Sequence, residues 1–269
     1  PDEFLYQVRD CVKDYDQDAY IMGEVWEDAS NKQSYGIRRP YLLGEQLDSV
    51  MNYPWCNAII SFVCSGNAEA FYTSVMTILD HYPIPAIATM MNPLSTHDSM
   101  RVLTALGVQH DVPGAERAEY RMTQEEYRLG VERLRLAATL QYTLPGYPSL
   151  YYGDEIGMYG FSDPWNRRTF TWDKIDSGLH DFYVRLGKMR RENSADFSQE
   201  LRFFDLDTGV IAYTRGSLLV VVNASQNDYQ WPAMIQSLLF SAGNASITES
   251  GILVSRMSAA VFRLRKEYD

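Results

Sequence analysis

Two acidic residues, Glu24 and Asp98, each follow a short apolar run that breaks into polar, loop-like sequence. Such a run is typical of a buried parallel strand, so each carboxyl group is expected at a strand end. Paired carboxyl groups hydrolyse glycosides when one donates a proton and another acts as nucleophile or stabilises positive charge. The apolar residues around Glu24 disfavour its charged form, which suits a proton donor. The competing interpretation of Glu24 is an ordinary surface glutamate.

Aromatic side chains are expected at the same rim of the sheet, at Trp26, Tyr53 and Trp165. Their rings have apolar faces that suit stacking against sugar rings. A carbohydrate-acting enzyme is therefore one interpretation of these residues, and purely structural roles are the other.

The elements that must position these residues alternate between helix and strand patterns. Helical spacing of apolar residues predicts helices over Asp2–Tyr15, Asn67–His81, Thr123–Tyr142 and Leu179–Arg191. Apolar runs predict strands from Tyr20 to Glu24, over Leu47–Tyr53, over Ala88–Leu94 and within Gly146–Glu155. This alternation is typical of an α/β protein with a parallel sheet, whose functional residues lie at the C-terminal strand ends.

The pattern changes near residue 195. Short strands separated by turn residues are predicted at Leu201–Asp207, Val210–Arg215, Leu218–Ala224, Ile252–Val254 and Ala259–Leu264. We therefore expect two domains, a helix-and-strand domain over residues 1–195 and an antiparallel β-domain over residues 196–269.

The composition is that of a globular protein, with 46% hydrophobic and 22% charged residues and a formal net charge of −11. This acidic balance, without any basic run, argues against nucleic acid as a partner. The sequence has no transmembrane run and no signal peptide, so no membrane partner is expected and a cytoplasmic location is favoured over export. Because the chain starts at Pro1 rather than at a methionine, the missing signal peptide carries little weight.

Several segments resemble the motifs of a known family. Gly23–Trp26 resembles the general-acid motif of the α-amylase family (glycoside hydrolase family 13), and Leu94–Arg101 resembles its motif in which a His-Asp pair ends barrel strand seven. Gly146–Glu155 is similar to the eighth-strand segment, and Asp163–Arg167 is similar to the Asp-Pro-x-x-Arg loop that follows it. The last two segments most resemble the neopullulanase and cyclomaltodextrinase branch.

The resemblance implies that Glu24 is the general acid and base, which protonates the leaving glycosidic oxygen and later activates water. Asp98 would hold the distorted sugar and stabilise oxocarbenium charge, and His97 would hydrogen-bond sugar hydroxyls. The competing interpretation for each residue is a structural role. Asp154 and Glu155 are expected to be structural and to fix a loop at the barrel mouth.

The same resemblance implies substrate contacts around this centre. Asp163 and Arg167 would bind glucose units toward the non-reducing end, and Trp26 would stack on the leaving-group side. The structural alternatives are a plain loop ion pair between Asp163 and Arg167 and a core position for Trp26. Glu27 departs from the branch, which often has His at this position, so specificity on the leaving-group side stays open.

The implied fold is the second half of a (β/α)8 TIM barrel followed by a C-terminal antiparallel β-sandwich domain. The family nucleophile, an Asp on barrel strand four, would lie upstream of Pro1, as would most family calcium sites. No cofactor or metal ligand is therefore expected in these residues, and the isolated chain is expected to be inactive. Because half a barrel exposes two strand edges, we expect a homodimer or association with the missing N-terminal half.

The implied activity is retaining hydrolysis of α-glucans such as starch, maltooligosaccharides, cyclodextrins or pullulan. Two alternatives remain open. One is an α-glucan transglycosylase on the same scaffold, and the other is a non-catalytic carbohydrate-binding or interaction module. The sequence does not separate α-1,4 from α-1,6 cleavage.

Overall fold

The computed structural model of the protein describes residues 2–265. In chain order its helices are α1 (Asp2–Tyr15), α2 (Tyr53–Ser65), α3 (Ala68–His81), α4 (Ile84–Thr89), α5 (Val102–Gly107), α6 (Gln124–Thr143), α7 (Ser177–Glu192) and α8 (Ser194–Phe197). Its strands are β1 (Met22–Gly23), β2 (Gln33–Ser34), β3 (Ile37–Arg38), β4 (Ser49–Val50), β5 (Met91–Pro93), β6 (Tyr147–Ser149), β7 (Leu201–Asp207), β8 (Val210–Arg215), β9 (Leu218–Asn223), β10 (Tyr229–Trp231), β11 (Ile235–Ala242), β12 (Ala245–Thr248), β13 (Gly251–Val254) and β14 (Ser258–Leu264). No helix in this range is both long and apolar enough to cross a membrane.

Parallel pairing joins the first short strands into an arc. Met22 of β1 pairs with Ser49 of β4, and Met91 of β5 pairs with Tyr147 of β6. A parallel bridge between Met51 and Met91 connects the two pairs, so the arc follows the order β1-β4-β5-β6. This is the parallel α/β arrangement predicted from the alternation of strands and helices, and β1 and β6 are its outer strands within residues 2–265.

The predicted strand Leu47–Tyr53 is shorter than expected, because the unpredicted helix α2 begins at Tyr53. The Asn52 side chain caps this helix by accepting a 3.2 Å hydrogen bond from Trp55 N, and Pro54 lies in its first turn. A polar cap followed by proline favours a helix start over a continued strand.

The predicted strand Ala88–Leu94 is also wrong at its start. Ala88 and Thr89 belong to α4, which has Pro85 in its first turn, and β5 begins only at Met91. Proline fits the first turn of a helix because its ring presets φ and it needs no hydrogen-bond acceptor for an N–H group.

The antiparallel strands of the C-terminal region begin at Leu201, as the sequence predicted. They form a larger sheet in the order β11-β14-β9-β8-β7 and a smaller sheet in the order β10-β13-β12. Strands β10, β11 and β12 were not predicted. Register shifts against β14 interrupt the alternation of β11, and β12 is mostly exposed, so neither has the regular buried pattern of β8 or β9. The domain boundary at residue 195 stays a prediction.

The larger sheet lies between two apolar cores. Ile211 and Tyr213 of β8 pack with the core of the helical region, whereas Val210 and Ala212 pack with the core shared by the smaller sheet. Successive side chains of a strand point to opposite faces, so both faces of β8 are covered and all its residues are buried.

The long helix α6 has side-chain caps at both ends. Thr123 and Glu126 form a capping box, in which Glu126 N donates to Thr123 Oγ1 at 3.2 Å and Thr123 N donates to Glu126 Oε2 at 2.7 Å. At the other end, Nη1 of the buried Arg215 donates to Thr143 O at 2.8 Å. A cation at this end also interacts favourably with the helix dipole.

Arg215 also contacts the segment that leads into the β-domain. Its Nε donates to Gln199 O at 3.0 Å, and its Nη2 donates to Phe197 O. Burial lowers the pKa of Arg215 to about 10. One guanidinium therefore satisfies carbonyl groups of α6 and of the connection between the helices and β7.

Replacing Arg215 by Met should lower the free energy of unfolding by about 3 kcal/mol, because buried carbonyl groups lose their charged donor. Denaturant unfolding of both proteins measures the difference. Arg202→Met is the matched control, since Arg202 pairs with Glu200 at the exposed surface, and it should change stability by less than about 0.5 kcal/mol. Equal losses in the two variants would contradict this role of Arg215.

Candidate active site

The strand ends of the parallel arc bring the predicted residues to one edge. Glu24 follows β1, Tyr53 follows β4, and the His97–Asp98 pair follows β5. Because parallel strands run in the same direction, their C-terminal ends lie on the same side of the sheet, where barrel enzymes carry their active sites.

The hydroxyl of Tyr53 connects Glu24 to the segment that carries Asp98. It donates a 2.9 Å hydrogen bond to Glu24 Oε1 and lies 3.3 Å from Thr96 Oγ1. Burial, together with the negative charges of Glu24 and Asp98, raises the pKa of Tyr53 to about 12. Both carboxylates therefore act on the same phenol. Tyr53 was expected as a rim aromatic, but its hydrogen bond to Glu24 was not predicted.

Glu24 is exposed, which differs from the apolar enclosure expected from its sequence neighbours. Alternation along the extended chain explains the difference, because Val25 enters the core and Glu24 points the other way. The carboxylate is oriented by the Tyr53 hydroxyl instead of an apolar wall. Its role as proton donor stays a prediction.

The indole of Trp26 lies flat against the ring of Tyr53. The ring centroids are 4.0 Å apart and the planes differ by 10°. Trp26 is 46% exposed, so it is not a core residue. Stacking on Tyr53 covers one part of the indole and fixes its orientation, and the rest of the indole is exposed to solvent. In the sequence, Trp26 lies two residues after Glu24.

Asp98 is held by two neighbours. Arg167 Nη2 donates to Asp98 Oδ1 at 2.8 Å, and His97 Nε2 lies 3.3 Å from Asp98 Oδ2. Arg167 Nε also donates to His97 O at 2.9 Å and lies 3.0 Å from Asp163 Oδ1. Arg167 therefore forms the loop ion pair with Asp163 and at the same time contacts the His-Asp pair.

Asn166, which was not predicted, attaches the same loop to the backbone of the His-Asp pair. Its Nδ2 donates to the backbone oxygens of Thr96, His97 and Ser99 at 3.2, 2.7 and 2.7 Å. Asn166 is fully buried, and buried hydrogen bonds are stronger than those exposed to water. In the sequence, the position of Asn166 inside the Asp-Pro-x-x-Arg segment was the feature that could have identified it as part of the site.

The buried guanidinium of Arg101 contacts the residues behind this loop. Its Nε donates to Asn166 O at 2.9 Å, and its Nη1 donates to Tyr152 O at 2.8 Å and lies 3.2 Å from Asp154 Oδ1. The guanidinium carbon also lies 4.7 Å and 4.8 Å from the ring centroids of Tyr151 and Tyr152. This buried pairing gives Asp154 the structural role expected from the sequence.

No group of three or more His, Cys, Asp or Glu side chains within residues 2–265 is placed to hold a metal ion. The expectation that the protein uses no cofactor stays a prediction.

A parallel α/β arc with carboxylates at its C-terminal edge is the arrangement of a barrel-derived enzyme. Residues 1–207 match the family described as alpha amylase, catalytic domain. The chain belongs to the α-amylase family, which confirms the resemblance drawn from its motifs.

Individual relatives agree with this assignment. The chain is 36% identical over 218 residues to an amylopullulanase of Thermoanaerobacter thermohydrosulfuricus, a match that covers 77% of this chain and 13% of the relative. It is 33% identical over 231 residues to a cyclomaltodextrinase of Bacillus sp, covering 82% of this chain and 36% of the relative. The chain thus spans well under half the length of these curated relatives.

A solved structure shows the fold of the matched region. The native debranching enzyme of Nostoc punctiforme aligns with a TM-score of 0.77 at 23% sequence identity, covering 97% of this chain and 55% of that protein. The chain therefore has a TIM-barrel-derived fold followed by a C-terminal sheet domain.

The buried pair of Arg101 and Asp154, which lies behind the candidate site, makes the stability of the protein depend on pH. Burial raises the pKa of Asp154 from its ordinary value of 3.8 to about 7, although Arg101 opposes the rise. The folded protein therefore binds this proton more tightly than the unfolded chain. The resulting stability is complete below the unfolded pKa and is lost as the pH rises through the folded pKa.

We expect the wild type to lose stability relative to Asp154→Asn as the pH rises from about 4 to about 7, because the amide cannot ionise. The change should be on the order of a few kcal/mol. Denaturant unfolding of both proteins at several pH values in this window measures it. A stability difference that stays constant across the window would contradict the raised pKa.

Proposed function

We propose that this chain is part of the catalytic domain of a retaining α-glucan hydrolase, with Glu24 as general acid and base. The observation that carries the proposal is the placement of Glu24 and Asp98 after parallel strands of one arc, with the Tyr53 hydroxyl bonded to Glu24 and 3.3 Å from Thr96, two residues before Asp98. Membership of the α-amylase family supports the same conclusion. Retaining glycoside hydrolysis uses a carboxyl group as acid and base and a second one as nucleophile, and Glu24 would supply the first of these while Asp98 assists at the same edge of the sheet.

In the first step, Glu24 protonates the glycosidic oxygen while the bond between that oxygen and the anomeric carbon breaks. A carboxylate nucleophile, which we propose is supplied by another part of the full-length protein, bonds to the anomeric carbon and forms the glycosyl intermediate. In the second step, Glu24 removes a proton from water while the water oxygen bonds to the anomeric carbon and the nucleophile carboxylate leaves, which frees the sugar and returns Glu24 to its protonated form. The hydrogen bond from Tyr53 keeps the Glu24 carboxylate oriented toward the reacting oxygen in both steps.

Asp98 holds the sugar at the cleaved bond and stabilises the positive charge that develops at its anomeric carbon. Arg167 fixes one carboxylate oxygen of Asp98 and His97 lies against the other, so the side chain is held in one position before substrate binds. His97 hydrogen-bonds a sugar hydroxyl. Arg167 and Asp163 contact glucose units toward the non-reducing end.

Trp26 supports the glucose unit that leaves. The stacking of its indole on Tyr53 fixes the ring plane, and the exposed part of the indole offers an apolar surface to a sugar ring. Because the relatives are named amylopullulanase and cyclomaltodextrinase, we propose α-linked glucose polymers and cyclic oligosaccharides as the substrate class.

We infer further that the arc β1-β4-β5-β6 is the second half of an eight-stranded barrel. The alignment that covers 97% of this chain but 55% of a debranching enzyme supports this assignment. Met22 of β1 and Leu150, which directly follows β6, are 38% and 40% exposed. These apolar edges suit pairing with the other half of the barrel or with a second copy of the chain.

Glu24→Gln in the full-length protein that carries these residues should slow glycosylation by maltooligosaccharides by about 10²- to 10⁴-fold, because the leaving oxygen loses its proton donor. An aryl maltoside with a very good leaving group should lose much less. Single-turnover kinetics on the two substrates measure the contrast. Equal loss on both would show that Glu24 is not the acid.

Asn166→Ala should slow glycosylation by about 10- to 100-fold on both of these substrates, because the backbone that carries Asp98 is released from its position. This uniform loss distinguishes a positioning residue from the acid. Asn227→Ala, an exposed position in the β-domain, is the control and should leave both rates unchanged. A loss confined to the substrate with the poor leaving group would contradict the role proposed for Asn166.

A further inference from the structure

A short hairpin after the strand that carries Glu24 presents an exposed tyrosine. Strands β2 and β3 pair antiparallel, and Tyr35 and Gly36 form the turn between them with φ angles of 54° and 76°. Positive φ at both positions is the type I′ geometry, which favours Asn-Gly. Tyrosine is a poor choice for the first of these positions, so the stability of the turn does not explain its presence.

The base of the hairpin is fixed by ion pairs and hydrogen bonds. At its start, Lys32 pairs with Glu27. At its end, Arg39 Nη1 donates to Asp2 Oδ2 at 2.7 Å, and Arg39 Nη2 donates to Ser34 O at 3.1 Å. These contacts hold the base of the hairpin in place, while Tyr35 at its tip is 96% exposed.

These contacts place the hairpin beside the site. Glu27, which contacts the start of the hairpin, directly follows Trp26, the residue proposed for the leaving-group side. Asp2, which contacts its end, is the first residue of α1. Because α1 packs beside β4 through Arg9 and Asp48 and leads into β1 by a short connection, we infer that it runs opposite to β1 and that its first turn lies toward the end of the arc that carries Glu24.

We propose that the hairpin Gln33–Arg38 is an additional α-glucan-binding element on the leaving-group side, in which the ring of Tyr35 stacks on a glucose unit of a long or branched chain. The inference rests on the proposed hydrolase function. A glucose ring has an apolar face of C–H groups, and tyrosine combines a flat apolar ring with a hydroxyl that can bond a sugar oxygen. A hairpin that is already fixed keeps the ordering cost of binding low.

The composition of the hairpin favours a glucan over a protein partner. Gln33 and Ser34 precede the turn and can bond sugar hydroxyls, whereas Ile37 adds one exposed apolar side chain. A stable protein interface buries about 800 Å² on each partner, which is far more than one such turn can supply.

The test uses the full-length protein that carries these residues and three variants. Tyr35→Asn removes the ring but suits the turn, Tyr35→Phe keeps the ring, and Tyr15→Asn removes a tyrosine that is 94% exposed at the far end of α1. Affinity electrophoresis in amylopectin gels measures binding, and steady-state kinetics on amylopectin and maltotriose measure hydrolysis. Tyr35→Asn should weaken amylopectin binding and raise its KM by about three- to tenfold. Maltotriose kinetics should not change, and the other two variants should resemble the wild type.

Each other outcome has a definite meaning. Unchanged amylopectin affinity in Tyr35→Asn, with hydrolysis intact, overturns the role of the hairpin alone. Equal losses on maltotriose and amylopectin also overturn it, because they indicate damage to the catalytic centre. A changed mass in light scattering with unchanged glucan affinity would assign the hairpin to a protein contact instead. A wild type that hydrolyses no α-glucan overturns the proposed function, while electrophoresis still tests the hairpin independently.

Discussion

The fully buried guanidinium of Arg101 is the constraint on which the arrangement of the candidate site depends. A charge without access to water must be compensated by acceptors at fixed positions. Two loops supply them, one through Tyr152 O and Asp154 and the other through the backbone oxygen of Asn166. Asn166 in turn fixes the backbone beside Asp98. The backbone that carries Asp98 is therefore positioned by the buried Asn166, and the buried charge of Arg101 connects Asn166 to the second loop.

Much of the fold was predictable because hydrophobic spacing and capping residues each identify a single helix or strand without information about its neighbours. The spacing that defines α1 and the capping box of Thr123 and Glu126 both gave the observed helices. The same reasoning failed at Tyr53, where an apolar run continues past the strand and only Asn52 and Pro54 indicate a helix start. It also failed for β11, whose irregular pairing removes the alternation that identifies a strand.

The candidate site was predictable to the extent that its residues resemble family motifs, which singled out Asp98 and Arg167, and the structure brings these two together. The contacts of Tyr53 and Asn166 were not predictable. Each joins segments that are far apart in the sequence, and the hydrophobic periodicity of a segment does not indicate which distant residue a side chain will contact. The exposure of Glu24 was predicted wrongly because its neighbour Val25 points into the core, whereas Met22 and Trp26 are themselves partly exposed and do not enclose the carboxyl group.

The hydrogen bonds of Asn166 and Arg167 to the loop after β5 also bear on how proteins of this family diverge. Both side chains belong to the segment that follows β6, so their hydrogen bonds join this segment to the loop after β5. The two loops would therefore have to be exchanged together. Grafting one loop from a homologue without the other would leave buried amide and carbonyl groups unmatched. Recombination, natural or engineered, should therefore keep parental pairs of these loops together, whereas segments attached by other bonds, such as the β2–β3 hairpin, can vary separately.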